Sequence, residues 1–503
     1  MESKAFVQYD GSWEHGVFTG KGKFTYDNGD VFEGDFVNSK KHGKGVYRFA
    51  NGDLFSGNYV NDIRQEFGKY TYADGSVYEG NWDRGQKHGL GELKLNNGSI
   101  YKGEFKVGLF EGEGEYTFNG GRKYRGGFSE DLFEGKGLIT ENGYTIKANF
   151  VEGSIVGLAE VETSDQVKYK GGLKNGRESG PGRLEFANGS TFEGDWDNGV
   201  PHGQGQITYS SGAIFKGGFK NGKKEGKGTL RFPNGDSYEG DFKDDVFEGF
   251  GTYFKKEGGV KYTGAFKAGH MEDAQGILNY DGQGEYKGGV SKSKKEGQGT
   301  MLFLTGMKAE GTYSDDYLVK GTIKFKGGAQ YTGELKNGRF EGRGVFVGKG
   351  GNVYEGEFQD NRRNGQGVLK TPSFTLEGSF VDDKIHGACT IHYDNGDFFE
   401  GDMFAGRIEG FGRFQTLKGE LYEGQWKNNK KEGEGFIRFE NGDEYKGQFV
   451  DDSINGLGEY TYKNGDRYSG EFFMGKKHGR GTYVTADGEV RGDMFENDEI
   501  VLN

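Results

Sequence analysis

The sequence lacks the features that mark secreted, membrane-spanning or nucleic-acid-binding proteins. It has a single cysteine, Cys389, so no disulfide can form within the chain, as expected in a reducing compartment. No apolar run approaches the roughly 18 residues of a membrane span, and the start, MESKAFVQYDGSW, has no apolar signal region. The net charge of −13 argues against non-specific nucleic-acid binding, which needs a basic surface. We therefore expect a cytoplasmic protein without a nucleic-acid partner.

What the chain has instead is glycine and aromatic residues. Glycine accounts for 98 of the 503 residues, and hydrophobic residues for only 32%. Such polarity alone would favour disorder, but the chain also contains 42 Phe, 29 Tyr and 4 Trp, and disordered chains have few aromatics. We therefore expect the aromatic side chains to be buried at regular intervals along an elongated molecule, and not in one deep core.

One short pattern recurs along the whole chain. Residues 192–214, FEGDWDNGVPHGQGQITYSSGAI, contain two runs with apolar or glycine residues at alternate positions, joined by Asp-Asn-Gly. Alternation of this kind predicts strands, and a glycine-containing loop between them predicts a β-hairpin. The pattern recurs at intervals of 22 to 24 residues. Its 21 units begin at Tyr9, Phe32, Phe55, Tyr78, Tyr101, Tyr124, Ile146, Tyr169, Phe192, Phe215, Tyr238, Tyr262, Tyr286, Ala309, Tyr331, Tyr354, Leu376, Phe399, Tyr422, Tyr445 and Tyr468.

Within each unit, the first, third and fifth residues share one face of the first strand. The third is glycine in 20 units, the first is aromatic in 18 and the fifth is aromatic in 17. A glycine between two rings leaves bare backbone against which an aromatic ring can lie. The residues between them, such as Glu193 and Asp195, are charged and point to the opposite face. The pattern thus predicts one aromatic, glycine-rich face and one solvated, charged face.

A lone hairpin is marginal in water, so we expect the units to be stabilised by stacking. The prediction is an all-β fold: an elongated, single-layer, twisted antiparallel sheet of about 21 hairpins. At about 4.8 Å per strand it would extend on the order of 200 Å. We expect a lead-in over residues 1–8, a continuous array with a final partial unit over 9–494, and an acidic tail over 495–503.

The combination of Tyr-x-Gly-x-Trp, Gly-x-Gly-x-x-x-Tyr and a closing Asn-Gly or Asp-Gly resembles the MORN (membrane occupation and recognition nexus) repeat. The resemblance covers nearly the whole chain. It implies stacked hairpins and a non-enzymatic scaffolding role, as in cytoskeletal, radial-spoke and other ciliary assemblies, or at membrane contacts. It also implies self-association through array ends, as in some relatives. No kinase, methyltransferase or exchange-factor domain accompanies the repeats here.

A single-layer sheet cannot cover its own apolar face completely, so the aromatic rows form a candidate partner groove. An amphipathic helix or an extended peptide would fit such a groove. Packing within the framework is the alternative interpretation. The residues concerned are Trp13, Trp82, Phe192, Gly194, Trp196, Tyr209 and Trp426.

Pairs of basic residues in the loops form a second candidate surface, for anionic lipid or an acidic partner. Other loops carry acidic pairs, such as Asp244-Asp245 and Asp382-Asp383, so the alternative is a mixed, solvated edge. The basic pairs are Lys40-Lys41, Lys223-Lys224, Lys294-Lys295, Arg362-Arg363, Lys430-Lys431 and Lys476-Lys477.

No catalytic, metal or cofactor site is predicted. The Gly-x-Gly segments do not precede helices, as a dinucleotide-binding fingerprint would. Histidines such as His42 and His202 recur before the paired glycines, but in units that are not adjacent, and zinc needs ligands about 2 Å from one ion. The acidic residues are periodic and form no distinct catalytic group.

The preferred interpretation is therefore a scaffold in a cytoskeletal assembly, most specifically a ciliary axoneme, and the alternative is a phosphoinositide-binding or membrane-contact module. Because a terminal strand leaves an unpaired edge, a homodimer through the array ends is also expected. Some units depart from the pattern, with Ala148, Asp273 and Lys320 at glycine positions and Glu66 at another. Such departures indicate either drift or, around 262–330, a change in twist that marks a docking site or bend.

Overall fold

The computed structural model describes residues 6–492 and 494–501. Across them it contains 46 β-strands and no α-helix, so this part of the chain also has no helix that could cross a membrane. The prediction of an all-β fold of antiparallel hairpins is confirmed. The chain divides into two compact units, with the boundary between Val246 and Phe247.

The strands of the first unit are β1 (Phe6–Glu14), β2 (Val17–Tyr26), β3 (Val31–Val37), β4 (Lys40–Arg48), β5 (Leu54–Val60), β6 (Ile63–Thr71), β7 (Val77–Asp83), β8 (Gln86–Lys94), β9 (Ile100–Lys106), β10 (Leu109–Thr117), β11 (Lys123–Ser129), β12 (Leu132–Glu141), β13 (Tyr144–Val151), β14 (Ser154–Thr163), β15 (Lys168–Lys174), β16 (Arg177–Glu185), β17 (Thr191–Asp197), β18 (Val200–Thr208), β19 (Ile214–Lys220), β20 (Lys223–Arg231) and β21 (Ser237–Lys243).

The remaining strands are β22 (Val246–Lys255), β23 (Val260–Lys267), β24 (His270–Met271), β25 (Asp273–Tyr280), β26 (Gly284–Ser291), β27 (Lys294–Phe303), β28 (Lys308–Ser314), β29 (Tyr317–Lys324), β30 (Gln330–Lys336), β31 (Arg339–Val347), β32 (Val353–Gln359), β33 (Arg362–Lys370), β34 (Phe374–Val381), β35 (Lys384–Tyr393), β36 (Phe398–Phe404), β37 (Arg407–Gln415), β38 (Leu421–Lys427), β39 (Lys430–Arg438), β40 (Glu444–Val450), β41 (Ser453–Thr461), β42 (Arg467–Phe473), β43 (Lys476–Val484), β44 (Val490–Arg491), β45 (Met494–Glu496) and β46 (Glu499–Ile500).

Glycines set the register between strands. In the hairpin of β17 and β18, Gly194 pairs with Gly205, and Gly205 pairs in turn with Gly217 of β19. Gly217 then pairs with Gly228 of β20. The third position of one strand thus faces a glycine on each side, and a row of glycines runs across consecutive strands.

Each regular hairpin also contains a bulge beside its first paired glycine. In β17–β18 the register shifts between Gly194 and Trp196, and Gly203 on the partner strand has φ of 75°. That left-handed conformation is why glycine is favoured there. Glu66 occupies the same position in the third unit and also adopts the left-handed conformation, at φ of 60°. Its carboxylate accepts a hydrogen bond of 2.8 Å from Asn58 Nδ2.

The irregular units change the backbone where the glycine is missing. Asp273 replaces that glycine, and the second strand is divided there into β24 and β25. The Asp273 carboxylate accepts hydrogen bonds from the backbone N–H groups of Ala265 and Gln275, both at 2.8 Å. At Lys320 the strand is continuous, and the bulge moves to lie between Thr312 and Tyr313. Both sites therefore have altered hairpins, whatever their function.

The C-terminal residues continue the sheet. Strand β45 pairs with β43, and β46 pairs with β45. Phe495 is 3% exposed, and its ring centroid lies 4.9 Å from that of Tyr468. Phe495 therefore occupies the place that a fifth-position ring takes in the complete units.

Candidate interaction surfaces

The aromatic face is filled by the chain's own rings. A Cβ added at Gly205 would lie 2.7 Å from ring atoms of Phe192, and one added at Gly194 would lie 2.9 Å from the same ring. The first-position ring therefore covers a glycine of its own strand and one of the neighbouring strand. Phe192 also meets Trp196 and Phe219 edge to face, with centroid distances of 5.2 and 5.0 Å. This contact repeats where successive units have aromatic first and fifth residues, as between Phe55 and Trp82 and between Tyr78 and Phe105.

This packing buries most of the residues predicted for a partner groove. Phe192 is 1% exposed, and Trp82, Trp196 and Trp426 are between 5 and 8% exposed. Their indole N–H groups donate to the backbone carbonyls of Gly68, Gly182 and Gly412 at 3.1 to 3.3 Å. These side chains have little surface left for a partner.

Two predicted groove residues lie differently. The Tyr209 hydroxyl is half-buried and accepts a hydrogen bond of 3.1 Å from Lys224 Nζ. Trp13 is 55% exposed, because β1 has no second partner strand among the described residues. The ring of Trp13 meets the rings of Tyr9 and Phe18. Of the residues predicted for the groove, Trp13 therefore keeps a large exposed aromatic surface.

Four of the six basic pairs lie opposite an acidic pair of the following unit, whereas Lys40-Lys41 and Lys476-Lys477 lie opposite Asn61-Asp62 and Asn497-Asp498. Lys223 Nζ lies 3.0 Å from Asp244, and Lys224 Nζ lies 2.9 Å from Asp245. The hydrogen bond to Asp244 raises the pKa of Lys223. Further ion pairs at the same spacing of 20 or 21 residues are Lys41–Asp62, Lys294–Asp315, Arg362–Asp382, Arg363–Asp383 and Lys430–Asp451.

The two members of each basic pair have different surroundings. The first is exposed in all six pairs, whereas the second is half-buried and points over the aromatic face. Lys224 Nζ lies 5.7 Å from the ring centroid of Tyr209 and 5.8 Å from that of Phe215. Lys295 lies over Tyr286 in the same way, and burial lowers its pKa. The second basic residue thus covers the rings through a cation–π contact, a role that the sequence pattern did not predict.

A second set of contacts links the turns at the other edge. The Asp53 carboxylate accepts hydrogen bonds from the Tyr70 hydroxyl at 2.6 Å and the Ala73 N–H at 2.7 Å, both in the next unit. The hydrogen bond from Tyr70 is the main reason that the pKa of Asp53 is lowered. Asp466 and Tyr483 repeat this arrangement near the C-terminus. The 17-residue spacing of Asp and Tyr is a signal that the sequence analysis missed.

The opposite face carries charged cross-strand pairs, as predicted. Lys102 Nζ lies 2.9 Å from Glu92, and Lys227 Nζ lies 2.9 Å from Asp241. Large apolar side chains interrupt these pairs at one recurring place, next to the paired glycines of the second strand. They are 56 to 66% exposed and comprise Phe67, Leu90, Leu158, Phe250, Phe411 and Leu457.

No three His, Cys, Asp or Glu side chains of the described residues are grouped so that they could hold a metal ion. Cys389 is buried, which raises the pKa of its thiol to about 11 and keeps it in the unreactive neutral form. His386 lies against Phe404 and His478 against Phe473, with ring centroids 5.2 and 5.8 Å apart.

A protein-family model described as MORN repeat matches this chain eighteen times. Three of the 21 units counted in the sequence, those beginning at Ile146, Tyr262 and Ala309, are not matched, and all three carry the departures described above. The matched segments are 9–31, 32–54, 55–77, 78–100, 101–121, 124–140, 169–191, 192–214, 215–237, 238–260, 286–308, 331–353, 354–375, 377–398, 399–416, 422–444, 445–467 and 468–490.

A search for similar sequences among curated proteins found no match. Among solved structures, the chain is similar to the TCP10 domain of Danio rerio CPAP in complex with a STIL peptide, at 14% identity and a TM-score of 0.25, covering 45% of this chain and 96% of that domain. It is also similar to virginiamycin B lyase from Staphylococcus aureus, at 9% identity and a TM-score of 0.10, covering 70% and 97%. Scores this low carry no argument about function.

Proposed function

The chain belongs to the MORN-repeat family, and from that premise we propose that it is a non-enzymatic scaffold in a cytoskeletal assembly. The observation that carries the proposal is the extent of the repeats, which match the chain from residue 9 to residue 490. Their aromatic residues are used for packing between units, which leaves the exposed face and edges for partners. An axonemal complex of cilia is the assembly that we propose, by analogy with scaffolds of this family.

Proximity labelling in ciliated cells that express the tagged chain tests this proposal. The expected result is enrichment of axonemal proteins and a tagged signal that remains with detergent-extracted axonemes. A diffuse signal that is fully extracted, with no reproducible neighbours, would contradict the scaffold proposal.

Binding to anionic membranes is the second candidate, motivated by the six basic pairs. The contacts described above weaken it, because Lys223 and Lys224 already have carboxylate partners at 3.0 Å or less. Flotation with vesicles that contain phosphoinositide, at physiological salt, separates the two candidates. We expect no flotation. Flotation that is lost when Lys223 and Lys430 are changed to Gln would favour the membrane role.

Self-association through the N-terminal edge forms part of the proposal. The outer edge of β1 is unpaired among the described residues, and Trp13 exposes 55% of its surface there. Open strand edges are normally covered or paired. Light scattering should therefore give a dimer mass that Trp13→Ala reduces, and a monomer at micromolar concentration would remove this part of the proposal.

A further inference from the structure

One row of side chains in the second compact unit is unlike the equivalent rows elsewhere. It crosses seven consecutive strands, β36 to β42, on the face opposite the aromatic rings. All seven side chains are exposed. We name it the central row, and it consists of Asp402, Phe411, Gln425, Glu434, Gln448, Leu457 and Glu471.

The strand register pairs neighbouring residues of the row directly at three places, and at the other three Asp402, Gln425 and Gln448 lie in bulges beside the next strand. Phe411 pairs with Gln425, and Leu457 pairs with Glu471. Glu434 pairs with Gln448, whose side-chain oxygen accepts a hydrogen bond of 3.2 Å from the Leu457 N–H. The row is therefore a continuous strip, about 29 Å long at about 4.8 Å per strand.

The central row is acidic and apolar. Phe411 and Leu457 are each 62% exposed. Asp402, Glu434 and Glu471 are carboxylates, the row contains no cation, and none of the three forms an ion pair with another described residue. At the equivalent place near β20 and β21, Lys227 pairs with Asp241 at 2.9 Å. The carboxylates of the central row have no such internal partner.

The matching row of the first compact unit provides a contrast. There the apolar residues are Phe67 and Leu90, 56 and 66% exposed. Their neighbours across the strands are Asn81, which pairs with Phe67, and Glu104, which pairs with Leu90. That row has less acidic charge next to its apolar residues, and its two apolar residues lie two strands apart, in β6 and β8, so both charge and spacing distinguish the two rows.

We propose that the central row binds an extended, basic polypeptide segment of a partner protein. Phe411 and Leu457 are four strands apart, about 19 Å. An extended chain covers that distance in about six residues, and side chains six residues apart lie on the same face of it. Two apolar side chains of the partner at that spacing can therefore contact Phe411 and Leu457. Lysine or arginine residues between and beside them meet the three carboxylates. Charge complementarity excludes an anionic membrane as occupant. The inference rests on the scaffold role proposed above and names the chemistry of one partner.

The test uses the full-length chain and fluorescent synthetic peptides. The probe peptide is extended, carries two leucines about six residues apart, and has lysines between and beside them. Two control peptides have the same length: one has adjacent leucines, and the other has glutamate in place of lysine. Fluorescence anisotropy at low and physiological salt gives the dissociation constants.

We expect the probe to bind saturably, more weakly as salt rises, and neither control to bind comparably. The double substitution Phe411→Ala with Leu457→Ala should weaken binding at least about tenfold, which corresponds to about 1.4 kcal/mol. Glu434→Gln with Glu471→Gln should weaken it and reduce its salt dependence. Phe67→Ala with Leu90→Ala is the matched control and should leave binding unchanged.

Several outcomes would overturn the proposal: no saturable binding of the probe, equal loss in the Phe67 and Leu90 control, or tighter binding of a helical peptide of the same composition. Self-association of the chain that is lost on substitution of Phe411 and Leu457 would assign the row to a second copy. Unchanged circular dichroism of the variants checks folding. If the probe peptide does not bind while proximity labelling still finds axonemal neighbours, the scaffold proposal stands and only the assignment of the central row as a binding surface is wrong.

Discussion

Two units of the same array solve the packing of the aromatic face differently. In the unit that begins at Phe192, a ring lies over two glycines that leave room for it. In the unit that begins at Ile146, alanines stand at both glycine positions, and Ala159 is fully buried opposite Gly171. A branched aliphatic side chain is smaller than a ring, so the Cβ atoms of the alanines fit. In these two units, the size of the first side chain and the residues at the glycine positions therefore change together.

The unit that begins at Leu376 also has an aliphatic first residue in place of a ring. Cys389 occupies its second glycine position and pairs with Gly378. The cysteine is 5% exposed. Its role is thus to fill space that a ring takes elsewhere.

The largest expected effect comes from removing the ring. Phe192→Ala leaves a cavity over two glycines and should lower the free energy of unfolding by about 3–5 kcal/mol. Ile146→Ala should cost less, because Ile146 is only half-buried. Urea unfolding measures the loss, and hydrogen exchange locates it, since repeat arrays need not unfold in two states. Equal losses at the two sites would contradict the comparison. Phe411→Ala, at an exposed ring, should stay within about 0.5 kcal/mol.

The next effect tests the coupling directly. In Gly205→Ala the new Cβ would lie 2.7 Å from the ring of Phe192, so we expect a loss of about 1–3 kcal/mol from overpacking. Combined with Phe192→Ile, which recreates the arrangement around Ile146, the loss should fall short of the sum by at least about 0.5 kcal/mol. Additive losses would show that the ring does not determine the glycine. Ala159→Gly is the control, and it should cost about 0.5–1 kcal/mol through strand entropy alone.

The hairpins and the two faces could be predicted from the sequence because they follow from alternation between residues two apart. The period could be predicted because the whole pattern recurs along the chain. Contacts between units could not, because they join residues of different loops. The sequence contained Lys223-Lys224 and Asp244-Asp245, but only the stacking showed that they meet. For Trp196 the sequence left open both a partner groove and packing within the framework, because alternation along a strand does not show how closely the next unit covers a side chain.

The turns provide a smaller contrast, between units with aspartate and units with serine. Asp53 accepts a hydrogen bond from the Tyr70 hydroxyl, whereas Ser76 in the next unit accepts one of 3.0 Å from the Asn96 N–H. Tyr70→Phe should cost about 1 kcal/mol near neutral pH. The pKa of Asp53 is lowered in the folded chain, so its contribution is present above the ordinary value of 3.8 and lost as pH falls below it.

Urea unfolding of the Tyr70→Phe variant and the parent at several pH values checks this prediction. The difference between them should shrink below about pH 4, as Asp53 becomes protonated. Ser76→Ala has no titrating group and should give a difference that does not change with pH. A difference for Tyr70→Phe that persists unchanged at low pH would show that the carboxylate is not its source.

The smallest effect separates the two members of a basic pair. Lys223 is exposed and bonded to Asp244, so Lys223→Ala should have only a small cost, and salt should reduce that cost. Lys224→Ala should cost more and depend less on salt, because the Lys224 side chain is only 14% exposed and covers two rings. Lys476 is the matched control: its counterpart 21 residues later is Asn497, so Lys476→Ala should have no salt-dependent effect. If Lys223 and Lys224 responded equally to salt, the second lysine would be an ordinary surface charge and not a cover for the aromatic face.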